Sequence, residues 1–187
     1  MKIWVTRHGQ TRLNLEKRMQ GLSDEPLNET GRRQAREARE KLGEMTFDRV
    51  YSSPLNRAVE TAEILAGISR EQIRMDARLT EVDFGKYEQR KYTALGPAMS
   101  LYWALPELFP CPKTVERIPD MIRRSEAVLA DIRKEAAESG AENILIVCHG
   151  GIIRVLCGIL EGRRKKIKWR PKPHNLEMRI YETDKML

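Results

Sequence analysis

Apolar positions along this 187-residue chain switch between short β-prone runs and stripes spaced by three and four. Lys2 to Thr6 (KIWVT) reads as a strand that stops abruptly at Arg-His-Gly. Asn28 is placed to cap a helix through Leu42, with Ala35, Ala38 and Leu42 sharing a face. Asp48 to Ser52 is a second strand. Ser53 as N-cap and Pro54 at the first helical position then predict a helix presenting Ala58, Ala62 and Leu65. Ile73 to Leu79 predicts a weaker strand. Thr114 is expected to open the longest helix, where Ile118, Ile122, Ser125, Leu129, Ile132 and Ala136 keep helical spacing. Asn143 to Cys148 is almost wholly apolar, as a strand covered on both faces is. Gly150-Gly151 leads into another helix with Ile152, Val155, Leu156, Ile159 and Leu160 inward, and Leu176 to Tyr181 ends the pattern as an alternating strand. Alternating strands and helices, without repeats or low-complexity segments, predict one α/β domain over 1–187. The expected architecture is a three-layer α/β/α sandwich with a mostly parallel central sheet.

One segment breaks the rhythm. Tyr92 to Pro112 is rich in aromatics and Leu and carries Glu107 but no Lys or Arg. Pro97, Pro106, Pro110 and Pro112 forbid a regular strand or an uninterrupted helix. A small lid insertion over about residues 88–120 is the expectation.

Composition narrows the class. A chain this long buries ~70% of its unfolded surface on folding, and 41% hydrophobic residues argue against disorder. Aliphatic runs such as Ile144 to Val147 fall far short of the roughly 20 residues that span a bilayer. Arg7 and His8 arrive before an apolar signal region could form, so a cytoplasmic protein with no membrane association is expected. Cys111, Cys148 and Cys157 cannot all pair and lack metal-ligand spacing. Net charge is +7, yet seven basic residues lie between Arg163 and Lys172 with no acid among them. Without them the chain has 27 basic and 27 acidic residues, so the excess is local.

Two of the three histidines directly follow apolar strands, His8 in Thr6-Arg7-His8-Gly9 and His149 in Cys148-His149-Gly150-Gly151. In open α/β sheets ligands bind beyond the carboxyl ends of strands. The adjacent glycines allow close backbone approach, and the helix after Gly151 offers free N–H groups to an anion. Arg7 adds a fork suited to two phosphate oxygens. From spacing alone, catalyst and hydrogen-bonded scaffold remain even readings.

Arg7-His8-Gly9-Gln10-Thr11 with Asn14 and Gln20-Gly21 resembles the start of the histidine phosphatase superfamily, also called the phosphoglycerate mutase-like family. The resemblance continues through Pro26 to Gly31 with Gln34-Ala35, and through Ser52-Ser53-Pro54-Leu55 with Arg57-Ala58 and Thr61-Ala62. It ends with Leu79-Thr80-Glu81, Phe84-Gly85, and His149-Gly150-Gly151 with Ile153-Arg154, in the family's order over residues 3 to 154. The resemblance implies the phosphatase branch, a histidine acid phosphatase-type phosphomonoester hydrolase. His8 would attack phosphorus, with its other ring nitrogen donating to a backbone carbonyl. Arg7, Arg57 and His149 would be three cationic groups around the phosphoryl oxygens, leaving no need of metal or cofactor. Asn14 would be a neutral donor there. Glu81 would protonate the leaving alkoxide and then take a proton from the hydrolytic water. Gln20, Gly21, Tyr92, Tyr102 and Trp103 are the expected substrate contacts. Two departures bear on the lid: Tyr87-Glu88-Gln89 where many members have Trp-Glu-Gly, and Pro112-Lys113-Thr114 where Gly-Glu-Ser is usual.

Three other readings compete. Cys148 and Arg154 form a Cys-x5-Arg between strand and helix, the spacing of cysteine-dependent phosphatases. A phosphoglycerate-type mutase would use the same His8 but needs further basic residues in the lid, and the segment Tyr92 to Pro112 has none. A neutral or partly apolar leaving group follows from that lack. Finally, Arg163 to Lys172 with Trp169 could serve a nucleic-acid-binding module, although it lies between a helix and a strand. The expected partner is a small-molecule phosphate ester rather than nucleic acid, and a homodimer is left open. The basic segment is expected to border the pocket mouth and steer anions inward.

Overall fold

The computed structural model describes residues 1–164 and 167–183. Its sheet has five strands: β1 (Lys2–Arg7), β2 (Arg49–Ser52), β3 (Arg74–Met75), β4 (Asn143–Cys148) and β5 (Met178–Glu182). They lie in the order β3-β2-β4-β1-β5, all parallel except the edge strand β5 against β1. Successive side chains of a strand point to opposite faces, and that alternation divides the core in two. Ile3, Val5, Tyr51, Ile144, Ile146 and Cys148 face one layer, which holds α5 (Ile118–Ser139) and α6 (Ile152–Leu160). Trp4, Val50, Leu145 and Val147 face the other, with α2 (Glu29–Leu42) and α3 (Asn56–Ala66). The α/β/α sandwich with a mostly parallel sheet is therefore present. Burial on both faces is why β4 carries no polar residue after Asn143.

Asn28 caps α2 as expected, its side chain accepting from Gly31 N at 2.8 Å. Four boundaries differ from expectation. Helix α3 starts at Asn56 rather than Pro54, because Asp24 supplies the cap from a distant loop, accepting from Asn56 N and Nδ2 at 2.7 Å each. The strand expected over Ile73 to Leu79 is only Arg74–Met75. Asp76 then accepts from Arg78 N at 2.8 Å and turns the chain into a 3-10 turn over Ala77–Leu79. Helix α5 starts at Ile118, not Thr114. The stretch before it is held in a turn by Val115 N to Pro112 O and Glu116 N to Asp83 O, each 2.9 Å. The last strand is displaced to Met178–Glu182 because Leu176 adopts a left-handed φ of 58°.

Beyond the carboxyl ends of the strands lie α1 (Arg12–Leu15) and α4 (Pro97–Ala104). Helix α4 begins at Pro97 and stops before Pro106, as the proline spacing of this segment requires. The loop after β1 runs toward the α2 layer and the loop after β4 toward the α6 layer, so a crevice opens between them.

Candidate active site

Strand register brings the two histidines together. Arg7 pairs with Cys148 in the β1–β4 ladder, so the next residue of each strand, His8 and His149, emerges at the same level. His8 N donates to Cys148 O at 3.0 Å, and the ring centroids are 5.0 Å apart. Both rings are buried.

A carbonyl can only accept, so the 2.7 Å contact between His8 Nδ1 and Gly9 O places the proton on Nδ1 and the lone pair on Nε2. Burial, then the charges of Arg57 and Arg7, hold the His8 pKa well below the usual histidine value. His149 is oriented the other way round. Arg57 Nε donates to its Nδ1 at 3.2 Å, so the proton sits on Nε2, which is buried without a partner. Burial, Arg57 and His8 depress its pKa strongly as well. His149 is thus a neutral donor, which corrects its expected place among three cationic groups.

Arg7 lines the pocket that contains His8, with Nη1 tied to Pro173 O at 2.9 Å and Nε buried and unpartnered. Arg57 is fully buried behind His149, donating to Ser23 O at 2.6 Å and Gly21 O at 2.7 Å rather than lining that pocket. Burial lowers its pKa to about 10, still cationic at neutral pH. Gly21 is therefore a backbone anchor for Arg57. A Cβ there would lie 2.2 Å from Val82 O, so no larger residue fits. Asn14 Nδ2 and Thr11 Oγ1 both donate to Gln20 Oε1, at 2.9 and 2.8 Å, which leaves the Gln20 amide nitrogen as the unpartnered donor. Glu81 sits at the N-terminus of α6, accepting from Gly151 N at 2.9 Å and Ile152 N at 3.2 Å. Tyr92 and Trp103 stack 6.5 Å apart over the pocket, whereas Tyr102 is buried in the core and lines a neighbouring cavity instead.

Two further cations complete the pocket, Arg154 from α6, which was not foreseen here, and Lys172 from the basic segment expected to border the mouth. Lys172 Nζ donates to Tyr92 OH at 3.2 Å, and burial with Arg7 and Arg154 lowers its pKa to about 8. The lack of basic residues in Tyr92 to Pro112 does not leave the mouth neutral, because other elements supply them. Arg154 Nε is buried and unpartnered, like Arg7 Nε, Gln20 Nε2 and His149 Nε2. Three of these orphaned donors, on Arg7, Gln20 and Arg154, line one pocket, and the His149 ring lies 5.0 Å from that of His8 at its edge, so together they form a receptor for a multivalent acceptor. Asn175, also unforeseen, donates to His8 O at 2.7 Å. Lys172 closes the basic run, and that run leading toward it was the one signal for Asn175. Cys148 stays out of the pocket. It packs in the α5/α6 core, and burial raises its thiol pKa well above normal, which removes the basis for a cysteine nucleophile.

The model of the histidine phosphatase superfamily (branch 1) matches residues 3–186. The chain belongs to that superfamily. YhfR of Bacillus stearothermophilus superposes with a TM-score of 0.84 at 31% identity, covering 98% of this chain and 91% of that one. A mycobacterial glucosyl-3-phosphoglycerate phosphatase, solved with VO3, gives 0.82 at 30% identity over 96% and 90%. Among curated relatives, a putative phosphoserine phosphatase 2 of Hydrogenobacter thermophilus is 31% identical over 86% of this chain and 79% of its own. A probable phosphoglycerate mutase GpmB of Proteus mirabilis is 39% identical over 51% of this chain, and the match spans only 44% of that relative. Three of these four relatives are named as phosphatases or a mutase, both phosphoryl-transfer enzymes. No helix among the described residues is long and apolar enough to cross a membrane.

Proposed function

We propose that the protein is a phosphomonoesterase that hydrolyses a small-molecule phosphate ester through phosphorylated His8. The carrying observation is the His8 ring: neutral, locked by Gly9 O, its free Nε2 in a pocket with orphaned donors. Phosphorus is attacked by Nε2 while the phosphoryl oxygens take hydrogen bonds from Arg7, Gln20 and His149, with Asn14 beside them. Arg57 adds charge from behind His149 and fixes which nitrogen of that ring donates. Glu81, on the same pocket wall, gives a proton to the leaving oxygen and then receives one from the water that attacks phosphohistidine. The Arg and Lys side chains supply the positive charge, so the scheme invokes no metal. Three unpaired cysteines suit the reducing cytoplasm proposed as its compartment, and the segment around α4 is proposed as a lid.

His8→Ala should abolish phosphate release from a panel of metabolite monophosphates, together with acid-labile labelling of the protein, whereas Cys148→Ser should keep both. A dead Cys148→Ser protein beside an active His8→Ala protein would reverse the assignment. One observation favours a second reading. Arg154 and Lys172 could hold a second anionic group, as a phosphoglycerate-type mutase needs. Conversion of 3- to 2-phosphoglycerate faster than phosphate release would establish it.

A further inference from the structure

A second chamber, about 350 Å³ in volume, adjoins the phosphate pocket. That is within the range of small-molecule sites. Phe84, Trp103, Arg154 and Lys172 line both spaces, so the two share a wall. Away from that wall the chamber is apolar, with Val82, Met121 and Trp169 as its main surfaces. Phe84 and Trp103 meet edge to face at 5.3 Å and 80°, so the shared wall is aromatic. Arg170 also borders the chamber, but its guanidinium is committed to Ala104 O and Glu107, each at 2.7 Å. Arg154, at the shared wall, keeps its buried Nε unpartnered. Donor capacity is therefore concentrated beside the phosphate, and the space beyond it is built to shed water.

We propose that this chamber receives the leaving group, and that the substrate is a phosphomonoester of a bulky, flat, predominantly apolar alcohol. Arg154 holds the ester end at the border. This rests on the phosphatase reading and adds a substrate class to it. A polyol or short hydroxy acid leaves the apolar walls wet, whereas a fused ring displaces that water and gains burial.

The test compares phosphate release from 2-(1-naphthyl)ethyl phosphate and from glycerol 3-phosphate. Both are esters of alkyl alcohols, which limits the influence of leaving-group basicity. The expected result is at least a tenfold higher kcat/KM for the naphthyl ester. Ala104 lines the chamber from an exposed position on α4, so Ala104→Trp fills it without disturbing the core. This variant should bring the ratio of the two kcat/KM values close to one. Trp103→Ala, which removes the shared wall, should lower the ratio several-fold. A wild-type ratio at or below one, or a ratio that neither variant moves, overturns the proposal. Glycerol 3-phosphate turnover through phosphohistidine would then leave the phosphatase reading standing. Absence of phosphohistidine and phosphate release with both esters overturns both.

Discussion

At His8 the useful protonation state follows from three effects of one sign: burial, Arg57 and Arg7 all oppose the imidazolium. Lys172 shows the same physics at a more accessible value. Its pKa of about 8 lies below the ordinary lysine value, so its charge is present below pH 8 and lost above it. The kcat/KM for phosphate esters should fall as pH rises through about 8. Lys172→Met should lower it about tenfold at pH 7, the size of a charge-assisted contact, and abolish that limb of the profile. Lys172→Arg should carry activity past it. Gly151 has a different task. A Cβ there would stand 2.5 Å from Glu81 Oε1 and 2.6 Å from Val82 Cγ2. Gly151→Ala must displace the Glu81 carboxylate, and on the proposed reading kcat should drop at least tenfold while His8 labelling by an activated phosphoryl donor persists. The histidines were legible as candidates because each directly follows a strand, and Glu81 only through its resemblance to the family motif Leu79-Thr80-Glu81. Arg154 was visible as a motif partner, but its place in this pocket was not, since nothing local to α6 says which way its guanidinium turns.

Among the elements, periodicity predicted α2, α6 and β4 well, because capping and two-sided burial are local properties. Boundaries failed where a distant segment supplied the cap, as Asp24 does for α3. The departure from Trp-Glu-Gly acquires a physical meaning here. Glu88 accepts from Gly21 N at 2.8 Å and Ser23 N at 3.2 Å, pinning the loop whose carbonyls hold Arg57. Gln89, where many members have Gly, has a φ of 59°. A left-handed conformation costs a non-glycine residue roughly 1–2 kcal/mol, partly offset by glycine's greater freedom when unfolded. Gln89→Gly should therefore stabilise the protein by about 0.5 kcal/mol in urea denaturation, with phosphatase activity retained.

Across the whole molecule, the +7 charge resolves into parts. Lys172 enters the His8 pocket, Arg170 bonds to the end of α4, and Lys168 lines a surface cavity with Arg154. Lys165 and Lys166, also expected to steer, lie outside the described residues. For Lys168 the steering expectation is testable. Lys168→Gln should lower kcat/KM at low ionic strength, leave kcat alone, and lose its effect at 0.5 M salt, where screening is short-ranged. An unchanged kcat/KM would make Lys168 a solvated residue without a steering role.

By itself the sequence determined the α/β class, the strand-end positions of both histidines and the family motifs, since periodicity and punctuation act over a few residues. Only the tertiary structure decided that Arg57 braces His149, that His149 is a neutral donor, and that Lys172 completes the pocket. The physical reason is distance along the chain. Arg7 and Pro173 are bonded across 166 residues, and Arg57 and His149 across 92. Protonation and donor direction depend on such contacts, which strand register and sheet order create.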